Sequence, residues 1–470
     1  MRGPICIIVL ASVLLNAGTA MADEDKDLDL IPKAAQQPAS SSPEAPRASA
    51  SAHRLYLENA FSLSWLGDGL LVPSPPPKPA RWQERLFVDL RDEWSLGSRV
   101  RLFYSGRLNF RAEDDLSDLD HENLVNDFRE GYASWELLDR TYLDVGRINV
   151  KSGVAIGFNP TDFFKTRAVV EPLSADPAVL REDRLGALML RAQHIWHGGS
   201  LVAAFAPGLY DPSPLYTDVH LPSFDPMLDR TNAHDRLLLK GSVDIGLDLN
   251  PEFIFYREGS QTRWGINVTQ SIGQSVVAYV EWSGGRRSSL IDDALGYGRM
   301  TRTLPANGPS VLPEDSDRSF QNEVAIGGSY TTENKITLNL EYHFNQAGFS
   351  RRDWNDWFLA GRGSTDLSPS ARELWFIRAY ARDQQEPITQ HSVFLRADWV
   401  DAFVPKLELT GFIDADSLDG SGTLQLAADY YLSNAWTVGG LLSANFGNKR
   451  SDFGSLPQAG SLLLKVVRYL

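Results

Sequence analysis

From residue 53 onward, apolar and polar side chains alternate along the chain with a period of two. The run from Arg99 to Phe110 reads RVRLFYSGRLNF. Val100, Leu102, Tyr104, Gly106, Leu108 and Phe110 share one face, and Arg99, Arg101, Phe103, Ser105, Arg107 and Asn109 share the other. Successive strand residues point to opposite sides, so this pattern predicts a strand, not a helical stripe. The same alternation recurs from Leu237 to Leu247, Ile336 to Phe344, Leu424 to Tyr430 and Trp436 to Phe446. Most runs are about nine to twelve residues long, beyond the usual sandwich strand and close to what crosses a bilayer. Their apolar faces often end in an aromatic (Trp65, Phe110, Trp282, Phe344, Trp399, Tyr430, Phe446), as the girdles of membrane barrels do. The expected fold class is all-β: a transmembrane antiparallel β-barrel.

Strands are predicted near 54–65, 84–92, 99–110, 127–138, 140–148, 185–196, 199–206, 236–249, 252–257, 263–271, 274–282, 320–331, 335–344, 392–400, 406–413, 422–432, 435–446 and 461–470. That makes about eighteen, bounded by sixteen and twenty (roughly one hairpin either way), and closure with both ends on one side needs an even number. Short turns fall at Leu138-Asp139-Arg140, His197-Gly198, Asn250-Pro251, Ile272-Gly273, Thr332-Glu333-Asn334, Val404-Pro405 and Ser433-Asn434. Long extracellular loops are expected near 111–126, 150–184, 207–235, 283–319 and 345–391. In the last of these, Ser368-Pro369 ahead of Ala371-Arg372-Glu373-Leu374 predicts a helix near 369–382, with Ser as cap and Pro at the first position.

The first residues bear on compartment. Arg2, the apolar run from Ile5 to Leu15 and Ala20-Met21-Ala22 predict a signal peptide over 1–22. Residues 23–52, acidic and then rich in Ala, Ser and Pro, are expected to be a disordered periplasmic tail, leaving 53–470 as the barrel. The single cysteine, Cys6, excludes a disulfide scaffold and a cysteine-based metal site. Acids outnumber bases 60 to 45, and a net charge of -15 argues against a nucleic-acid partner. An exported barrel belongs in the bacterial outer membrane, among lipid and lipopolysaccharide.

If the apolar faces meet lipid, the other faces line the lumen. They would carry a basic strip, Arg85, Arg91, Arg99, Arg101 and Arg107, opposite a mainly acidic side of Glu130, Asp244, Asp248, Glu281, Glu323, Glu341, Asp398 and Glu408. Such facing charges set up a transverse field. Arginines outnumber lysines 35 to 10, and the planar guanidinium suits carboxylate, phosphate or sulfate. The loop 150–184 is too long to be a plain connection. It is expected to fold into the lumen and narrow it, with Asn159, Asp162, Lys165, Arg167 and Glu171 as constriction residues.

Phe128-Arg129-Glu130-Gly131-Tyr132-Ala133-Ser134-Trp135, then Leu143-Asp144-Val145-Gly146-Arg147, then Asn159-Pro160-Thr161-Asp162, resembles a run found in Gram-negative outer-membrane porin-like barrels. That group includes phosphate-selective porins and alginate-export barrels. The likeness spans about forty residues, and the lysine ladder of the phosphate-selective members has no counterpart. It implies passage of solutes, not a reaction. Catalysis would have to use His220 or His234 with Asp225, Asp229 and Asp235, which share one loop, and neither a G-x-S-x-G elbow nor an H-E-x-x-H motif is present. His220, His234 and Asp235 are also the nearest approach to a metal set, and neither metal nor cofactor is expected. The function expected is a porin-like channel for small hydrophilic solutes, with anionic ones among the candidates. The alternatives are a barrel component of an export or envelope-assembly system and, third, an outer-membrane hydrolase. A homotrimer or an export-system partner are the assemblies such a barrel admits.

Overall fold

The computed structural model describes residues 53–76, 78–113, 124–170, 172–215, 225–246, 249–315 and 317–470. The expected leader 1–22 and tail 23–52 lie outside the described residues. Among those described, eighteen strands follow in order: β1 Arg54–Leu66, β2 Trp82–Leu96, β3 Val100–Glu113, β4 Leu124–Leu138, β5 Thr141–Ile148, β6 Ala187–Trp196, β7 Gly199–Ala206, β8 Arg236–Val243, β9 Glu252–Glu258, β10 Gln261–Ile272, β11 Val276–Arg287, β12 Ser319–Thr331, β13 Ile336–Asn345, β14 His391–Trp399, β15 Leu407–Asp416, β16 Gly422–Ser433, β17 Trp436–Phe446 and β18 Gln458–Tyr469. Each pairs antiparallel with its chain neighbours, and β1 pairs with both β2 and β18, so the sheet closes into a ring. Closure leaves no unpaired sheet edge.

All eighteen predicted strands are present, with two informative differences. The strand predicted over 236–249 stops at Val243 as β8, and Leu247 and Asp248 lie outside the described residues. The strand predicted from Arg99 begins at Val100 instead, because Gly97, with φ 72°, starts a tight turn that takes in Arg99.

The alternation sorts the two faces as expected. Leu86, Phe110, Leu190, Leu340 and Leu464 stand exposed on the outside, and their neighbours in sequence pack inward. Exposed aromatics ring the barrel at two heights. Trp94, Trp135, Tyr330 and Trp436 lie toward the end with the short turns, and Trp65, Phe110, Phe320 and Phe446 toward the end with the long loops. No helix among the described residues is long and apolar enough to cross a membrane.

The long connections carry helices: α1 Pro177–Glu182, α2 Leu228–Thr231, α3 Leu290–Met300, α4 Arg351–Ala360 and α5 Pro369–Asp383. The last is the helix predicted near 369–382; α3 and α4 fall where loop was expected. Both begin on a capping serine, Ser289 and Ser350, and the second is a full capping box with Asp353. α3, α4 and α5 share one apolar core: Leu295, Trp354, Trp357, Phe358, Leu374 and Ile377, with Val72 from the β1–β2 loop. They form a helical cap at the loop end of the ring.

Candidate functional site

The connection from β5 to β6, residues 149–186, turns inside the ring. It is held there first by backbone. The amides of Val154 and Ala155 donate to Glu281 Oε1 on β11, and those of Ile156 and Gly157 donate to Glu341 on β13 at 2.6 and 2.9 Å. Four successive N–H groups thus rest on two carboxylates, and charge-assisted bonds of this kind are the strong ones. Thr161 Oγ1 adds a bond to Glu281 at 3.1 Å, and Tyr279 and His343 add bonds to Glu341 at 2.5 and 2.7 Å. The seat needs glycine at both ends. A Cβ on Gly153, whose φ is 83°, would lie 2.6 Å from the Glu281 carboxylate, and one on Gly157 would lie 2.6 Å from the Phe394 ring.

Beyond the seat, Phe163 and Phe164 enter an apolar recess of the inner wall, where Phe163 stacks on Tyr256 at 4.6 Å among Met189, Leu238 and Ile254. The chain then crosses to the far wall. There Ser174 and the Ala175 amide bond Gln425 on β16, and Asp176 meets Arg396 on β14 at 2.5 Å. It returns through α1 to Asp183, which takes Arg107 and Arg129 at 3.1 Å each.

The constriction candidates divide. Asn159 caps its own turn, with Nδ2 donating to the Ala155 carbonyl and its own carbonyl accepting from Lys165 Nζ at 2.7 Å. Burial would raise the Asp162 carboxyl, but Arg184 at 2.5 Å and Arg181 hold it below the usual range. Burial pushes the Lys165 amine down to about 8, against the pull of Glu323 and Glu386. Arg167 turns away to the cap and pairs with Asp383 at 3.3 Å. Glu171 lies outside the described residues, as does Asp248 of the acidic set.

The basic strip is gathered on β2 and β3 but is not bare. Arg107 bonds Asp89 at 2.9 Å, Asp183 and the Tyr56 hydroxyl. Buried Arg85 donates to Gln83, and Arg101 reaches Glu93 at 3.3 Å. Arg91 stands exposed on the face of β2 that carries Asp89, without an ion pair among the described residues. Arg99 sits in the β2–β3 turn, off the wall.

The acidic side is likewise spoken for. Glu130 accepts the Asn149 amide at 3.0 Å, Glu323 takes Arg263 and Arg287 at 2.5 Å each, Asp398 binds Arg396 twice, and Glu408 accepts from Tyr431. Asp244 lies exposed in the turn after β8. Among the described residues, most of the expected charges are therefore paired with near neighbours rather than ranged across the lumen.

Several participants escape a reading by alternation. The β3–β4 register slips at Ser105/Gly106, leaving Arg129 without a partner opposite. Such a bulge re-aims a side chain, and here Arg129 and Glu130 both point inward. Arg129 reaches Asp89 at 2.6 Å, another residue outside the expected strip. Asp383 and Glu386 come from the cap and could not be placed from strand period. Arg263, on the same face as Asn267, carried a legible signal.

One arrangement resembles a hydrolytic triad: Ser392 Oγ lies 3.3 Å from His343 Nδ1, and His343 Nε2 lies 2.7 Å from Glu341. All three are buried, and Glu341 is occupied by the loop amides. His234 and Asp235 line a separate open cleft of about 720 Å³ with Tyr210 and Arg257. His220, of the same expected cluster, lies outside the described residues. No group of three or more His, Cys, Asp or Glu among the described residues is placed to hold a metal ion.

Neither a protein-family model nor a curated protein sequence matches the chain. Among solved structures it is similar to Pseudomonas aeruginosa OccK11 (OpdR), at 12% identity and a TM-score of 0.49, over 89% of this chain and 96% of that one. OccK3 (OpdO) from the same organism gives 11% and 0.46 over 89% and 95%, and a mutant of Rh. blastica porin gives 10% and 0.39 over 90% and 100%. By its own geometry, a closed eighteen-strand antiparallel ring with one connection turned inward, the architecture is porin-like.

Proposed function

We propose that the protein is a channel of the bacterial outer membrane that passes small hydrophilic solutes and favours anionic ones. The observation that carries this reading is the inversion of the ring. Its outside is aliphatic with two aromatic bands, and its inside is lined by Arg, Asp and Glu. An apolar exterior of that kind suits lipid, and a charged interior suits water and polar solutes. The loop 150–184, seated on Glu281 and Glu341, is the constriction in this reading. Anion preference would come from guanidinium left accessible after internal pairing, at Arg91 and Arg101 on the half of β2 and β3 nearer the turns.

The test is single-channel current of the purified protein in a planar bilayer under a salt gradient. Stable conductance, less anion-selective in the Arg91→Ala/Arg101→Ala double variant, supports the reading. Silence from a folded, heat-modifiable barrel would sink it and move the assignment to an export or assembly component.

A further inference from the structure

Most arginines inside the ring meet an acid, and at one place two arginines meet each other. Arg54 and Arg91 lie directly opposite on β1 and β2, near the end with the short turns. Arg54 stands over the Tyr56 ring at 5.0 Å, on the inner face where the Tyr56 hydroxyl takes Arg107. Its Nε is buried with no hydrogen-bond partner. Neither guanidinium has an ion pair among the described residues. The acids around them are taken. Asp89 binds Arg107 and Arg129 at 2.9 and 2.6 Å, Glu93 reaches Arg101 at 3.3 Å, and Glu182 of α1, which feels Arg91, is bonded to Lys151. Like charges placed directly opposite repel, so this pair calls for an anion that the wall does not supply.

The chain itself carries such anions. Residues 23–29 read Asp23-Glu24-Asp25-Lys26-Asp27-Leu28-Asp29, five acids and one base. Residues 30–52 join this run to the barrel and hold only Lys33, Glu44 and Arg47 as charged groups. The run and its link lie outside the described residues, but their point of attachment does not. The chain enters the wall at His53, which bonds Asp92 at 2.9 Å, one residue before Arg54. The link is 52 − 29 = 23 residues long. A chain of that length spans roughly 75 Å fully extended and about 25 Å as a random coil, enough to fold back on the mouth it is attached to. Such a tether sets an effective concentration on the order of millimolar.

We propose that the acidic run 23–29 docks on Arg54, Arg91 and Arg101 in the short-turn mouth of the barrel, as a plug tethered to the strand that carries Arg54. Its carboxylates supply the anion that the arginine pair lacks, through charge-assisted bonds suited to the guanidinium fork. As control of passage this rests on the channel reading, since the plug competes with solutes for Arg91 and Arg101; as docking it does not.

Disulfide trapping in the full-length protein, isolated from membranes on a Cys6→Ala background, reads the docking directly. Leu28→Cys keeps all five acids. It is paired with Ser95→Cys, exposed on the face of β2 that carries Arg91, or with Asn434→Cys in the β16–β17 turn, which samples tethering alone. At low salt, trapping at 95 is expected to run about tenfold faster than at 434, the size of a few exposed ion pairs. That advantage should vanish in 1 M salt, where charges are screened beyond about 3 Å. It should vanish as well in Arg54→Gln/Arg91→Gln, and when Asp23→Asn, Glu24→Gln, Asp25→Asn, Asp27→Asn and Asp29→Asn are combined. An advantage that never appears overturns the proposal. One that survives amidation of the tail acids also overturns it and leaves the arginine pair to a free anion. Should the arginine variant not fold, the tail variant, whose changes lie outside the barrel, decides. In planar bilayers the tail variant should show longer open times. Trapping in a barrel that never conducts keeps the docking and overturns the channel; conduction untouched by the tail variant keeps the channel and overturns the plug.

Discussion

The inward loop and the helical cap occupy the same ring by opposite means. The loop has little core of its own. It is held by wall groups, four amides on two carboxylates and a pair of phenylalanines in a wall recess. The cap is held mostly by its own core, around Trp357, Leu374 and Ile377, which Val72 of the β1–β2 loop joins, and polar contacts at Trp375 and Arg378 add to its seat on the rim. Lifting the loop would strand buried carboxylates without donors, which is expensive. The loop is fixed by the wall, the cap chiefly by its own packing.

The sharpest way to break this contrast is Trp357→Ala, which empties the centre of the cap. A large-to-small change at a fully buried tryptophan costs about 3–5 kcal/mol. It should abolish the helical circular-dichroism signal of the cap while the barrel keeps its heat-modifiable migration. Loss of the barrel as well would show that the two are not independent.

Glu281→Ala comes next. It leaves the Val154 and Ala155 amides without their acceptor, at a cost of about 3 kcal/mol. Fast amide exchange confined to 150–165 and a noisier, larger conductance are expected, with the cap undisturbed. A smaller effect comes from Lys165. Its amine is depressed when seated, so the seated loop binds fewer protons than the free loop, and stability should climb as pH rises from about 8 toward the ordinary lysine range. Exchange of the loop, corrected for intrinsic rates, should slow across that window, and Lys165→Met should remove the trend.

The smallest effect sharpens the contrast from the cap side. Glu314 is drawn down to about 2 by its bonds to Arg299 at 2.5 and 2.7 Å, but the pair is part exposed. Its contribution is present above the ordinary glutamate range and lost as pH falls through about 2. Glu314→Gln should cost under about 1 kcal/mol in cap melting at neutral pH.

The ring was legible in the sequence because a two-residue period facing lipid on one side and water on the other repeats in every strand. Arg85, Arg91, Arg101 and Arg107 could be put on the inner face from that period alone. What they touch could not. Arg107 meets Asp183 because a loop seventy-six residues on comes back to it, and Arg129 turns inward only because of a bulge. The helix at 369–383 announced itself through Ser368-Pro369. α3 and α4 carry comparable signals, Ser289 with Asp292 and Ser350 with Asp353 ahead of Trp354, Trp357 and Phe358. Asp383 and Glu386 had no local signature at all, since their role depends on where the cap lands.

The pairing of β1 with β18 has a further consequence. The first and last strands meet along eleven residue pairs, from Tyr56 opposite Tyr469 to Leu66 opposite Gln458, and Leu470 donates its amide to Leu55. The seam of the ring is therefore a matter of bookkeeping along the polypeptide and not a weak line in the wall. A circular permutant that joins the two ends and opens the chain at His197-Gly198 should rebuild the same cylinder.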